Sequence, residues 1–293
     1  MNPPKIDFPE SWRVLATGIT SIHGWPIFQA LMHNLPQKRL LGVRPPKMEV
    51  PDDSNVYPLC ITDVQSLKTL RKQFNPTHIV HCAGVCDLDV CEERPNWAHA
   101  INVQGAKAVV ETFGDLPILY VSTDLVFSGI DPPPSGYTEN QAPDPVSVAG
   151  RTFVLAEKQI QMAAKHCIIR IALPLGDSIG GQKGAVDWIE NRFKRNLRVT
   201  LFYDEYRSCV SCEEVATVAL RTLKHNLTGL YHFGGPKPWS LYEIGVYVLN
   251  RNDYDPTLLN GMLRHEEKNG PPRIGDVSLN STRLNRALIS IQE

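Results

Sequence analysis

"WRVLATGITSIHG", residues 12–24, decides the fold. A short apolar, β-rich run ends at Gly18, and a helical stretch, "WPIFQALMHNL", follows it. Gly18 and Gly24 hold the outer places of a T-G-x-x-G-x-x-G turn, with Ser21 at the middle glycine's position and Ile22 inside the same turn. In a strand-turn-helix unit the first glycine permits the tight turn. The second lets backbone approach a pyrophosphate, and the third lets helix and strand pack closely. The motif is weak alone and gains weight from its position between a strand and a helix. A turn that binds no nucleotide is the bland alternative. Ser21 either sits in an ordinary backbone region, with its hydroxyl available to a phosphate, or needs positive φ at a cost of about 1 kcal/mol or more.

Strands and helices alternate outward from this turn. "KRLLGVR" is a second strand, "ITDVQSLKTLRKQF" a helix capped by Thr62 or Asp63, and "THIVHCAG" a third strand. "RPNWAHAINVQGAKAVVETF" reads as one long helix, "PILYVSTDLVF" as a fourth strand, "RTFVLAEKQIQMAAKH" as a helix and "CIIRIAL" as a fifth strand. The strands are apolar without a clean period of two. That pattern specifies an α/β fold, a doubly wound parallel sheet with helices on both faces. After Gly176 the alternation weakens: "GDSIGGQKGAVDWIENRFKRN" is glycine-rich and then helical, and "GLYHFGG" is one more buried strand. Residues 1–176, with 209–232 returning to them, form the expected dinucleotide-binding domain. Residues 177–208 and 233–293 form a smaller lobe over the C-terminal edge of the sheet, where such folds bind ligands.

Arg44 ends the second strand, twenty positions beyond Gly24. An acid there would bind the ribose of NAD; an arginine suits a 2′-phosphate and favours NADP over NAD, with Lys47 near enough to help. A solvated basic loop is the alternative.

Composition sets bounds. The 293 residues are 42% hydrophobic and 21% charged, with a net charge of −1. This balance gives no reason to expect nucleic acid or an anionic membrane as a partner. No apolar run reaches the roughly 18 residues of a membrane span, and the polar, proline-rich opening lacks a secretory signal's apolar region. The seven cysteines, an odd number, fit a reduced, cytoplasmic protein. Cys209 and Cys212 make a lone C-x-x-C where zinc normally draws on four ligands, so no metal site is expected. Ser211 and Glu214 have the spacing of a capping box there.

From about Trp12 onward the chain resembles the extended short-chain dehydrogenase/reductases. It is most similar to the dTDP-4-dehydrorhamnose reductase branch, which also contains the regulatory β subunit of methionine adenosyltransferase. The resemblance is carried in order by "TGITSIHG", "ITDVQSL", "HIVHCAGVCDLDVCEERP", "INVQGA", "YVSTDLVFSG", "PVSVAGRTFVLAEK", "GLYHFGG", "WSLYEIG" and "PPRIGDVSLNSTRL". It implies a Rossmann-type fold with a C-terminal substrate lobe, an NAD(P) site and a sugar nucleotide as ligand. Gly18 and Gly24 match the family's phosphate turn. Ala83 and Gly84 match the segment that passes the adenosine, and Asn102 matches a family asparagine. Ile61 joins the implied cofactor site, beside Cys60, where the family places a carboxylate near the adenine. Thr123 matches the hydroxyl residue that binds the substrate carbonyl oxygen, and Arg273 an arginine near the substrate nucleotide. Trp239, with Tyr242, either faces the substrate cleft or packs the lobe.

The departures weigh as much. Ala149 stands where the family has its general-acid tyrosine, and Phe153 replaces the lysine four residues later. Leu125 and Leu173 replace an aromatic and a tryptophan of the sugar pocket. In ketone reduction the tyrosine supplies the proton, while the lysine lowers its pKa and holds the nicotinamide ribose. General acid catalysis is worth about 10²–10⁴-fold, so loss of both residues impairs conventional reduction. Phe153 at the ribose clamp also implies weakened cofactor affinity. Tyr137, Ser147 and Cys86 are the replacement acids to weigh, each with a bland loop or core alternative. Asp87, Asp89 and Glu92 read as helix-start and cap residues. His81 reads as a packed strand end.

Three readings follow: an atypical NAD(P)-dependent oxidoreductase with relocated chemistry, a non-catalytic regulatory or binding protein on a reductase frame, and a non-redox isomerase or lyase. A homodimer or a protein partner is open to all three, because the helix carrying Ala149 is a dimer surface in many relatives.

Overall fold

A computed structural model describes residues 5–52, 54–179 and 184–290. The glycines at 180 and 181 in the glycine-rich stretch, and both chain ends, lie outside the described residues.

The first half alternates as the sequence reading expects. It runs β1 (Val14–Thr17), α1 (Gly24–Asn34), β2 (Leu40–Arg44), β3 (Val56–Pro58), α2 (Val64–Phe74) and β4 (His78–His81). There follow α3 (Leu88–Glu93), α4 (Pro95–His99), α5 (Gly105–Phe113), β5 (Pro117–Thr123), α6 (Val148–Ile160) and β6 (Lys165–Ile171). The second half contains β7 (Pro174–Leu175), α7 (Ala185–Lys194), β8 (Val199–Phe202), β9 (Tyr206–Arg207), β10 (Val210–Ser211) and α8 (Cys212–Lys224). It ends with β11 (Gly229–Phe233), β12 (Trp239–Ser240), α9 (Leu241–Arg251), β13 (Leu259–Met262) and α10 (Thr282–Ile289).

The main sheet has seven strands in the order β11-β6-β5-β4-β1-β2-β3. All of its pairings are parallel. The chain starts in the middle, builds outward through β2 and β3, then crosses back to β4, so the strand order reverses beside β1. Ligands bind doubly wound sheets at that reversal, beyond the carboxyl ends of the strands.

Both faces of the sheet are buried, which explains the missing polar alternation. Leu15, Ile79, Ile118 and Tyr120 join one apolar layer with α2, α5 and α6. Their neighbours Val14, Ala16, Val80, Leu119 and Val121 join the opposite layer with α1 and α8. A third apolar cluster, built on Val186, Ile189, Phe193, Val199, Leu201, Ile244 and Val248, holds α7, β8, β13 and α9 together where the smaller lobe is expected.

Local signals set the helix starts. Asp63 caps α2 by accepting from Ser66 N at 3.0 Å, and Asp87 caps α3 by accepting from Val90 N at 2.9 Å. Capping boxes open α8 at Ser211 and Glu214, and α9 at Ser240 and Glu243. Two details differ from expectation. The edge strand β3 at Val56–Pro58 is too short to give a periodic signal. The expected single helix over 94–113 is interrupted by a π-helical turn at Ala100–Gln104, between α4 and α5. Such turns move a side chain out of helical register and are frequent at functional sites. This one carries Asn102.

Candidate functional site

The carboxyl ends of β1, β2 and β4 bring the expected cofactor residues to one edge. Gly18 has φ +69°, a left-handed backbone that suits glycine. A Cβ on it would lie 2.2 Å from Ala83 N, so the turn after β1 touches the backbone after β4. Ser21 is not among the positive-φ residues, so it fits the turn without backbone strain. Its Oγ accepts from Gly24 N at 3.0 Å and so ties the start of α1. Ile22 and Ile61 are buried. Ile61 packs against the first residue of α5, Gly105, and its Cγ2 would lie 2.9 Å from a Cβ there. Cys60 is exposed, with its thiol 3.2 Å from Thr62 Oγ1. Arg44 turns back on its own loop, donating to Pro45 O at 3.3 Å and Pro46 O at 3.1 Å.

Gly84 and Asn102 belong to a tightly bonded corner. Asn102 is fully buried. Its Oδ1 accepts from Val85 N at 2.7 Å, and its amide donates to Val85 O at 3.0 Å and Thr152 Oγ1 at 2.8 Å. With every bond internal, Asn102 fastens the loop after β4 to α6. The ring of Phe153 enters this corner. It is 4% exposed, its Cζ would lie 2.7 Å from a Cβ on Gly84, and it stacks on Tyr120 with centroids 6.4 Å apart. Tyr120 stacks in turn on His81, whose Nδ1 is 2.6 Å from Thr17 Oγ1. Burial lowers the His81 pKa to about 3, so its imidazole is neutral and packed, as its strand-end position suggests.

The frame around α6 is firm. Ser147 caps the helix by accepting from Gly150 N at 3.1 Å, and the Glu92 carboxylate accepts from Val148 N at 2.6 Å. Both satisfy otherwise orphaned N–H groups at a helix start. Glu157 pairs with Arg170 of β6 at 2.7 Å and accepts from Ser122 Oγ of β5 at 2.6 Å. His232 Nδ1 lies 2.8 Å from Tyr137 O and must donate to it. Its Nε2 is therefore an acceptor for Arg170 Nη1, 3.3 Å away. On this frame Ala149 is fully buried, with no proton to give.

The replacement acids fare differently. Ser147 is committed to its cap. Tyr137 is a core side chain stacked on Phe127 at 4.0 Å, and burial raises its pKa. Cys86 is an exposed residue whose thiol pKa is raised by desolvation, against the pull of Arg207.

Thr123, the expected carbonyl-binding hydroxyl, is 8% exposed at the end of β5. Its hydroxyl donates to Asp124 Oδ1 at 3.1 Å and accepts from Leu125 N at 3.3 Å. Asp124, fully buried, binds the Arg207 guanidinium through two hydrogen bonds, one of them Nε to Oδ2 at 2.6 Å. Because Arg207 lies on β9, this ion pair ties the far segment to the end of β5 beside Thr123. Glu205, two residues earlier, is 1% exposed, and its Oε2 has no hydrogen-bond partner. Burial pushes its pKa up to about 7, against the pull of Arg207, Arg273 and Arg264. Asp124, Glu205 and Arg207 give no spacing signal in the sequence, since only the fold brings position 124 to position 207.

Arg273 pairs with Glu267 at 3.0 Å and lies over the Phe202 ring at 4.7 Å, with Asp89 in electrostatic reach. Trp239 lies opposite Arg207 in the β9–β12 pairing and packs in the lobe cluster. Its ring meets Lys237 at 5.2 Å and Tyr247 at 6.0 Å. Leu125 is buried in the core, and Leu173 packs against the lobe cluster. The C-x-x-C thiols point to different carbonyls, Cys209 Sγ to Arg207 O at 3.6 Å and Cys212 Sγ to Ile22 O at 3.5 Å. Among the described residues no helix is long and apolar enough to cross a membrane.

These residues fit a dinucleotide in part. The turn keeps the tight backbone at Gly18 and the close helix packing at Gly24, with Ser21 at the middle position. The ribose clamp does not fit, because a phenyl ring stands where a lysine would be.

Comparison with known proteins agrees with this frame. The RmlD substrate binding domain family matches residues 13–293. The chain is 24% identical to methionine adenosyltransferase 2 subunit beta of Danio rerio over 291 residues, covering 96% of this chain and 86% of the relative. Among solved structures, a hypothetical dTDP-4-dehydrorhamnose reductase from Sulfolobus tokodaii superposes with a TM-score of 0.78 at 24% identity, covering 94% of each chain. The Bacillus anthracis dTDP-4-dehydrorhamnose reductase in complex with NADP gives 0.76 at 21% identity, covering 94% of this chain and 92% of that one.

Proposed function

The chain belongs to the RmlD substrate binding domain family, and from that premise we propose that it is a nucleotide- and nucleotide-sugar-binding protein that has lost conventional ketone reduction. Its NAD(P) site keeps the phosphate turn and lacks the ribose clamp. Its substrate cleft keeps Thr123 and Arg273. It acts by what it binds, as a regulatory or binding protein on a reductase frame.

One observation carries this reading. Ala149 and Phe153 are both buried within an intact, well-bonded frame, and the Phe153 ring fills the corner at Gly84. A disordered or collapsed site would suggest decay of the whole region. Here the loops, caps and buried ion pairs around the two positions are complete, so the frame serves a purpose that does not need a proton donor at position 149. Weak dinucleotide affinity follows, because the ribose hydroxyls lose a cationic partner while the phosphates keep their turn. The similarity to methionine adenosyltransferase 2 subunit beta supports a regulatory role with a protein partner.

Titration of the cofactor-stripped protein with NADPH and then NADH, read by nicotinamide fluorescence, tests the proposal. Saturable but weak binding, with NADPH favoured by Arg44, is expected. Nanomolar binding of either dinucleotide would overturn it, because Phe153 would then impose no penalty.

A further inference from the structure

Glu205 is a buried carboxyl set among arginines that already have acidic partners. Arg207 on β9, and Arg264 and Arg273 on the loops that follow β13, all lie within electrostatic reach of Glu205. Arg207 is bonded to Asp124, and Arg273 lies 3.0 Å from Glu267. Arg264 lies 3.2 Å from Asp204, close enough for charge pairing but not aligned for a hydrogen bond. Each guanidinium thus has its own acid. Asp89 also lies in electrostatic reach of Arg273, and Glu205 is a further carboxyl, buried, with no hydrogen-bond partner on Oε2. An anion arriving in this cleft meets arginines that are already neutralised, and it adds its charge to a carboxyl with no partner.

We propose that Glu205 is a proton-coupling residue of the cleft, which takes up a proton when an anionic diphosphate ligand such as a nucleotide sugar binds. This rests on the nucleotide-sugar reading above. The added negative charge competes with Asp124 and Glu267 for Arg207 and Arg273. Ionised Glu205 would then face both the ligand and the displaced acids in a buried setting, where like charges disfavour ionisation strongly. Protonation removes that repulsion and turns Glu205 into a hydrogen-bond donor, so Oε2 gains the partner it lacks. The charged groups that act on Glu205 are Arg207 on β9, Arg273 and Arg264 on the following loops, and Asp124 at the end of β5. The buried histidines His81 and His232 are each lowered to about 3 by burial and stay neutral across neutral pH.

Burial already pushes the free Glu205 carboxyl up to about 7, so it changes protonation within an accessible window. If only the protonated form accepts the ligand, affinity follows the protonated fraction and falls about tenfold between pH 6 and pH 8.

UDP-glucose and dTDP-glucose are suitable probes, because their diphosphate diesters do not titrate in this range. Isothermal titration calorimetry of the full chain with each probe at pH 6 and pH 8, in buffers of different ionisation enthalpy, reads both affinity and proton uptake. The expected result is affinity about tenfold weaker at pH 8, with net proton uptake at pH 8. Glu205→Gln, neutral at every pH, should bind equally at both and take up no proton. Wild-type binding that is flat across the range overturns the proposal without reference to any variant. So does a Gln variant with the wild-type pH profile. Absence of binding by either probe at both pH values refutes the nucleotide-sugar reading itself, and this inference with it.

Discussion

Replacing Glu205 with glutamine should remove a loss of stability that the wild type suffers as pH rises, and the size of the effect follows from the structure. The carboxyl is 1% exposed and its Oε2 is unpartnered, so ionisation in the fold is penalised by lost hydration. Its pKa rises from 4.5 to about 7. A carboxyl with a raised folded-state pKa contributes full stability below its unfolded pKa, and that contribution is lost as pH rises through the folded one. At about 1.4 kcal/mol per unit, the wild type loses roughly 2.5 kcal/mol from this group between pH 5 and pH 8. Glutamine does not titrate, so the variant loses nothing from this position. The fixed effect of the amide, whatever its sign, cancels when each protein is compared with itself at the two pH values. Thermal unfolding at pH 5 and pH 8 is the assay, and roughly 2 °C per kcal/mol gives a difference of about 5 °C between the two pH responses. Parallel pH profiles for the two proteins would refute the reasoning, because Glu205 would then be either hydrated or already paired.

Other substitutions probe the turn, the ion pair and the altered site. Gly18→Ala combines a left-handed backbone costing about 1–2 kcal/mol with a Cβ driven into Ala83 N. It should lower the melting temperature and abolish NADPH fluorescence enhancement; undiminished binding would mean that the turn does not contact the dinucleotide. Asp124→Asn leaves the buried Arg207 charge without its bidentate acid and should cost about 3–5 kcal/mol in urea unfolding. A loss under about 1 kcal/mol would show that Glu205 replaces Asp124 at no penalty. The double variant Ala149→Tyr with Phe153→Lys should remain a poor reductase, since a buried ammonium replaces a packed ring and leucines hold positions 125 and 173. Efficient turnover of a dTDP-4-keto sugar by that variant would refute the remodelled pocket.

Much of the fold was legible because its signals are local. The alternation of apolar runs with helical stretches, the caps at Asp63, Asp87 and Ser211, and the glycines at 18 and 24 all act within a few residues. The apolar strands lacked polar alternation because both faces of the sheet are covered, and that absence itself indicated a parallel sheet. The π turn at Ala100–Gln104 was hidden because the sequence there is helical in every residue, and only the internal bonds of Asn102 require the shift in register. Edge strand β3 was hidden by its length of three residues. In the site, Ala149 and Phe153 stood out because a familiar frame surrounds them. Asp124, Glu205 and Arg207 did not, since a buried carboxyl and its arginine 83 positions apart become partners only through the sheet order and the path of the lobe.

With Ala149 and Phe153 in place, the intact frame should no longer reduce a ketone. The most direct test is NADPH oxidation by the purified protein with a dTDP-4-keto sugar, followed by absorbance and product analysis. No reduced sugar is expected above the uncatalysed background, even at dinucleotide concentrations that saturate the site. Stoichiometric NADPH consumption with reduced sugar formed over many turnovers would contradict it, and would mean that another acid in the cleft has taken over from the absent tyrosine.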